Sequence, residues 1–311
     1  MQIKQLDFKH VPDHCIIVCI GRRKAGKTQN VLDILYHKRN SFSHGIVFCG
    51  SKATIKEYEK VIPSTFIHDG FESSLLKQIV DKQERDVELD QARNIFIILD
   101  DLMYTKTSIT KDPTVRRIAM NGRHARIFLI LTMQYSMDLD PSIRQQIDFV
   151  FLSREKNPHY REKLYNAYNV CFRTFSEFDR VMQGCTQNYE TFVMTSAGDT
   201  ESDRPEDNVF WFKSKLGRNY RINKTGTWWK YHKEKFDKQY FLQGTGTGLP
   251  AINAVKKLCL NRTPDLTHTK EGIEHMAMQR RQHMGERKGS VGWGLKVREV
   301  DAGDEMVRYI D

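Results

Sequence analysis

Residues 14–35 read HCIIVCIGRRKAGKTQNVLDIL. His14–Ile20, apolar throughout from Cys15 and short, has the pattern of a strand buried on both faces. Val31, Leu32 and Leu35 then follow at helical spacing. Between strand and helix lies Gly21-Arg22-Arg23-Lys24-Ala25-Gly26-Lys27-Thr28, a G-x-x-x-x-G-K-T string in the strand–loop–helix setting that gives it meaning. Gly21 and Gly26 let the backbone bend around an anion with its N–H groups turned inward. The helix start adds a partial positive charge. Lys27 is placed to put an ammonium on the β- and γ-phosphates of a nucleotide, and Thr28 to offer a hydroxyl to Mg²⁺. These eight residues are the expected nucleotide-binding loop, with ATP and Mg²⁺ as its expected ligands.

Three further positions complete the expected chemistry. The apolar strand Asn94–Leu99 ends in Asp100 and Asp101. A carboxylate at the C-terminal end of a buried strand sits where open α/β sheets bind ligands, so Asp100 is the expected Mg²⁺ carboxylate. Asp101 is placed to polarise an attacking water. The strand Ile127–Gln134 ends in a neutral amide, which can sense a γ-phosphate and hold water without adding negative charge. Position alone fits a plain polar strand end equally well. An arginine cluster, Asn121-Gly122-Arg123-His124-Ala125-Arg126, precedes that strand. A guanidinium offered to a neighbour's γ-phosphate would stabilise transition-state charge; a solvated helix end accounts for the cluster as well.

The first two-thirds of the chain repeats the strand–helix alternation. Gly45–Cys49, Thr65–His68 and Phe149–Ser153 read as strands, and Ala53–Ile62, Glu72–Asp90, Pro158–Tyr168 and Phe175–Gln183 as helices. Asp112 and Pro113 read as the cap and first turn of a helix before the arginines. Tyr189–Thr195 and Val209–Lys213 are β-type runs. The pattern predicts an α/β domain with a mostly parallel sheet covered by helices on both faces. Gln243–Pro250 (QGTGTGLP) has linker composition. The expected division is an ATPase domain over 1–240 and a basic C-terminal extension over 241–311.

Composition narrows the class. With 39% hydrophobic and 28% charged residues the chain is globular rather than disordered. Its longest apolar runs fall far short of the ~20 residues a membrane span needs, and Met1–His14 has no apolar core of a secretory signal. The six cysteines form no C-x-x-C pair and read as reduced core thiols. Residues 1–212 are close to neutral, with 29 Lys and Arg against 28 Asp and Glu, whereas 213–311 carry 20 against 11. A neutral body with a basic C-terminal third suggests a polyanion partner, or simply solubility.

Taken in order, GRRKAGKT, ILDD, NGRHARIFLILTMQ and DPSIRQQIDFVFLSRE resemble the genome-packaging ATPases of large nucleocytoplasmic DNA viruses, the poxvirus and giant-virus type of the FtsK–HerA superfamily. The resemblance covers about residues 12–240. It implies a RecA-like core, a ring of subunits (six by resemblance) and ATP-driven movement of double-stranded DNA into a capsid with capsid or membrane packaging components. It implies that the protein works in the virion or the host-cell cytoplasm. It favours Gln134 as the sensor and Arg123 over Arg126 as the arginine supplied to a neighbouring subunit. Where many members of the wider superfamily have Glu after the Mg²⁺ carboxylate, this chain has Asp101, one methylene shorter.

Between residues 213 and 238 nine Lys or Arg stand against Glu234 and Asp237, with Tyr220, Trp228, Trp229, Tyr231 and Phe236 interleaved. Cations would grip phosphates without reading sequence, and aromatics could stack on unpaired bases. Equally, the stretch could be a β-hairpin that packs Trp228 on the core. Three functional readings follow: a DNA-packaging motor or another DNA-pumping ATPase, a P-loop phosphotransferase with a small-molecule acceptor, and an inert nucleotide-binding scaffold.

Overall fold

The computed structural model describes residues 1–102, 109–134, 139–196, 202, 204–235 and the strand at 307–309. Its centre is a mixed, mostly parallel sheet. The loop-bearing strand β2 (Ile16–Ile20) follows the edge strand β1 (Gln2–Gln5) and leads into α1 (Lys27–His37). Then come β3 (His44–Cys49), α2 (Lys52–Tyr58), β4 (Ile67–Asp69), α3 (Ser73–Glu88) and β5 (Ile95–Asp100). The chain continues through α4 (Pro113–Asn121), β6 (Ile127–Met133), α5 (Pro141–Arg144) and β7 (Phe149–Leu152). It closes with α6 (Pro158–Tyr168), α7 (Phe175–Cys185), β8 (Thr191–Thr195), α8 (Pro205–Asn208), β9 (Val209–Phe212), α9 (Thr227–Lys235) and β10 (Val307–Tyr309).

The strand order is β10-β1-β9-β8-β7-β2-β6-β5-β3-β4. From β7 to β4 every pairing is parallel. Their C-terminal ends therefore share one edge, the edge that binds ligands in open α/β sheets. β6 lies between β2 and β5, with Ile17 opposite Ile130 and Ile130 opposite Ile98. It separates the loop strand from the strand that ends in Asp100 and delivers Gln134 between them. β8 runs antiparallel to both of its neighbours and opens the second half of the sheet. Every residue of β2, β5, β6, β7 and β8 is buried. That burial on alternating side-chain directions means both faces are covered.

Local signals account for several boundaries. Asp112 accepts from the N–H groups of Thr114 (2.8 Å) and Val115 (3.1 Å), and Pro113 opens α4. The predicted helix 53–62 stops early, at Tyr58, where the Val61 N–H bonds back to the Tyr58 carbonyl and tightens the last turn. Gln2–Gln5 had no predicted strand. Only Ile3 of its four residues is buried, so no apolar run marks it, and pairing with β9 makes the strand.

The segment after β9 is part of this core. Lys215 N–H reaches Asp33 of α1 (3.1 Å), Ile222 N–H reaches the Val61 carbonyl (3.1 Å), and Asn223 reaches the Ser43 carbonyl (2.8 Å). Trp228 is completely buried against Phe66 and Phe96, at ring centroid distances of 5.4 and 6.1 Å. Where the sequence left a β-hairpin as an alternative, the structure has a helix, α9. Thr227–Lys235 packs Trp228 against Phe66 and against Phe96 of β5, with Trp229 beside it, rather than pairing as strands.

Candidate nucleotide site

Gly21 is where the loop leaves the sheet. Its N–H bonds the Met133 carbonyl at 3.1 Å, and Ser153 N–H bonds the Ile20 carbonyl at 2.9 Å. A Cβ on Gly21 would stand 2.7 Å from Ser153 Cβ and Oγ, so only glycine fits between the ends of β2 and β7. The loop then turns through left-handed backbone at Lys24 (φ 63°) and Gly26 (φ 90°), and Gly26 leads directly into α1. Glycine carries that conformation without the Cβ penalty. Arg22, Arg23 and Lys24 are exposed, while Ala25, Gly26, Lys27 and Thr28 are half-buried. The Lys27 ammonium donates to the carbonyls of Gly21 (2.7 Å) and Arg22 (3.1 Å), holding the side chain across the mouth of the loop. Burial lowers the Lys27 pKa, while the charges of Asp101 and Asp100 act in the opposite direction.

Asp100 is 1% exposed, at the last residue of β5. Tyr58 of α2 donates its hydroxyl to Oδ2 at 2.8 Å, and Thr132 of β6 donates its hydroxyl to Oδ1. Burial raises the Asp100 pKa, and the two hydroxyls oppose that rise. Burial also pushes the Tyr58 phenol well above its ordinary value, which keeps it a donor. The next residue, Asp101, has φ 51°. This turns its chain so that its N–H donates to Thr132 Oγ1 (3.0 Å) and its carboxylate accepts from Gln134 Nε2 (2.8 Å). Lys27, Asp100, Asp101 and Gln134 are thus brought to one edge, and the last two touch. Sequence reading missed Tyr58 and Thr132: a tyrosine in a helix and a threonine in a buried strand carry no signal of a shared partner.

A second missed partner is Glu155. Arg22 Nε and Nη2 each lie 2.8 Å from one of its carboxylate oxygens, a forked pair. Arg161, buried in α6, bonds the carbonyls of Glu155 (3.1 Å) and Lys156 (2.8 Å) and fixes that loop. A cleft of about 320 Å³ opens here, lined by Gly21, Arg22, Gln134, Ser153, Tyr160 and Leu164 among others.

Arg123 and Arg126 lie at the other end of β6. β6 spans seven residues, so at ~3.3 Å per residue Arg123 stands more than about 20 Å from Gln134. Arg123 is 59% exposed in its side chain and pairs with Asp148, a buried carboxylate that also accepts the Ile16 N–H at 2.7 Å. Arg126 is committed locally, donating to the Ala92 carbonyl at 2.7 Å.

The basic segment is only partly available as a surface. Arg218 pairs with buried Asp33 and stacks 3.8 Å over Tyr36; Lys213 lies 3.8 Å from Glu190; Arg221 stacks on Trp229. Trp228 and Trp229 are buried, and the Tyr220 hydroxyl bonds the Leu32 carbonyl. The expectation that these aromatics stack on bases is therefore corrected for those three: they belong to the core. Lys224, Lys230 and Lys233 remain exposed. Phe236, Lys238 and the linker 243–250 lie outside the described residues. Among the described residues no cluster of three His, Cys, Asp or Glu could cage a metal, and no helix is long and apolar enough to cross a membrane.

No family model matches the chain. The uncharacterized protein L437 of Acanthamoeba polyphaga mimivirus is 30% identical over 223 residues, spanning 69% of this chain and 78% of L437. The uncharacterized protein 015R of frog virus 3 is 30% identical over 241 residues, spanning 76% of this chain and 70% of 015R. Among solved structures, the genome packaging NTPase B204 of Sulfolobus turreted icosahedral virus 2, in complex with ATP-gammaS, is 18% identical. It covers 66% of this chain and all of that one at a TM-score of 0.44. Sharing 30% of its residues with L437 and 015R over most of their lengths, the chain belongs to one family with these two viral proteins.

Proposed function

We propose that the protein is an ATP-hydrolysing motor that drives double-stranded viral DNA into the capsid. The observation that carries this reading is the split site. Lys27, Asp100, Asp101 and Gln134 gather at one edge of the sheet, while exposed Arg123 stands at the other edge, too far to serve its own loop. With Arg123 read as an arginine of the site, each site is completed by a neighbour, which is the logic of a ring.

In this reading Gly21 to Thr28 cradle the phosphates. Lys27 leaves the carbonyls of Gly21 and Arg22 for the β- and γ-phosphates. Asp101 accepts a proton from, and orients, the attacking water, and Gln134, already bonded to Asp101, reports loss of the γ-phosphate. Arg123 of one subunit reaches the γ-phosphate of the next. The residues present fit Mg²⁺: Asp100 and Thr28 offer only oxygen, and Mg²⁺ binds through one or two carboxylates plus substrate phosphates rather than a full protein cage. When bound, the ion supplies charge neutralisation at the β- and γ-oxygens. Exposed lysines at 224, 230 and 233 are the cations offered to DNA phosphates. The ring is six-membered by resemblance, and the motor acts with capsid or membrane packaging components in the virion or the host cytoplasm.

The test is steady-state ATP hydrolysis with and without long double-stranded DNA across a salt series, with Lys27→Ala as the blank. DNA stimulation that weakens as salt rises is expected of a motor that grips phosphates. Hydrolysis that ignores DNA but needs a small acceptor would replace the motor with a phosphotransferase.

A further inference from the structure

Asp100 is held in an unusual way for a carboxylate so deeply buried. Among the described residues neither of its oxygens meets a cation at hydrogen-bond distance; each accepts from a neutral hydroxyl, Tyr58 on Oδ2 and Thr132 on Oδ1. The two donors come from different elements, α2 and β6, so they fix the plane of the carboxylate as well as its depth. Tyr58 is itself completely buried. Its phenol has no solvent to turn to. The Thr132 hydroxyl proton is used on Asp100, and its oxygen accepts the Asp101 N–H at 3.0 Å. A continuous chain of bonds therefore runs Tyr58, Asp100, Thr132, Asp101, Gln134.

We propose that Tyr58 is a positioning residue that, with Thr132, aims the Asp100 carboxylate at the divalent cation of the bound nucleotide. The inference rests on the MgATP reading above and adds α2 to the elements that build the site. The physical reason is orientation. A carboxylate has two oxygens and about four lone-pair sites. With one direction on each oxygen taken by a rigid neutral donor, the remaining directions are left for the ion and its waters. Neutral donors suit this task because a lysine or arginine in the same place would compete with the cation for the charge. Removing such a supporting partner at metal sites typically costs 10–100-fold in metal affinity or activity.

Tyr58→Phe deletes one oxygen and keeps the ring. The measurement is the affinity of the full chain for a fluorescent ATP analogue, once in EDTA and once across a Mg²⁺ titration, with Mn²⁺ binding followed by electron paramagnetic resonance as a second readout. Expected is an unchanged affinity in EDTA, with Mn²⁺ affinity and the Mg²⁺-dependent tightening each falling about tenfold or more. Thr132→Val should show the same loss, while Thr132→Ser, which keeps the donor, should behave as the parent chain. A Tyr58→Phe protein that melts lower but keeps the full Mg²⁺ effect overturns the inference, because that is what a purely structural tyrosine would do. A parent chain that binds the analogue without any Mg²⁺ effect, or not at all, overturns the MgATP reading and this inference with it.

Discussion

Asp101 shows how much one residue's backbone contributes. Its left-handed φ of 51° is uncommon for a residue with a side chain, though Asp and Asn tolerate it better than most. That turn carries the short carboxylate back to Gln134 at 2.8 Å. An Asp at this position thus acts together with the amide of the next strand. Replacing Asp101 with Asn keeps the size and removes the carboxylate that the proposed mechanism places on the attacking water. The expected outcome is unchanged nucleotide affinity and a kcat lower by about 10²–10⁴, the range for loss of a positioned general base. Single-turnover hydrolysis checks it, and a kcat within twofold of the parent would remove Asp101 from the chemistry. At Gly21 and Gly26 the residue type was legible from sequence because the backbone demands it. At Tyr58 and Glu155 it was not, because their partners stand 42 and 133 positions away.

Among elements, α9 is the one whose role changed most. Its sequence, TWWKYHKEK, is basic and aromatic, and composition alone cannot distinguish a nucleic-acid surface from a core-covering helix. The structure separates the two by face: Trp228 points into the core beside Phe66 and Phe96 and Trp229 packs against Trp228, while Lys230 and Lys233 face solvent. Deleting the buried indole leaves a large cavity. Trp228→Ala is expected to destabilise the domain by about 3–5 kcal/mol. At about 2–4 °C per kcal/mol for a domain of this size, thermal unfolding should fall by roughly 10 °C. Lys230→Ala and Lys233→Ala should leave the melting temperature within a degree or so, since exposed substitutions away from special features are usually within about ±0.5 kcal/mol. Calorimetry on the three variants decides it; equal melting temperatures would show that α9 is not part of the core. The strand β8 gives the complementary case. Its apolar run was visible, but its antiparallel direction was not, because strand direction follows from the path of the chain and not from composition.

At the scale of the whole molecule, the distance between the two ends of β6 sets the constraint. A chain that keeps Gln134 at one edge and Arg123 at the other cannot use both in one site of its own. Arg123→Ala should therefore bind nucleotide normally and hydrolyse it slowly, by up to about 10³–10⁵ where such arginines have been measured. Mixed with Lys27→Ala subunits, it should regain part of the activity, since some interfaces then combine an intact loop with an intact arginine. Mixtures that stay inactive at every ratio would show that Arg123 is not supplied between subunits. In the single chain Arg123 rests on buried Asp148, so its transfer to a neighbour's phosphate would leave that carboxylate to the Ile16 N–H alone.

The loop Gly21–Thr28, the paired aspartates and the parallel α/β core were determined by the sequence itself. Each is a local pattern: a glycine-bounded turn between strand and helix, a carboxylate closing an apolar run, and fully apolar strands alternating with helices. What only the tertiary structure decided is which side chains meet. β6 had to be inserted between β2 and β5 before Gln134 could reach Asp101. α2 had to pack against β3 and β4 before Tyr58 could hold Asp100 at the end of β5, and residues 213–235 had to fold back over α1 before Arg218 could neutralise Asp33. Those contacts join residues tens to hundreds of positions apart, and sequence periodicity carries information only within a few turns of helix or one strand.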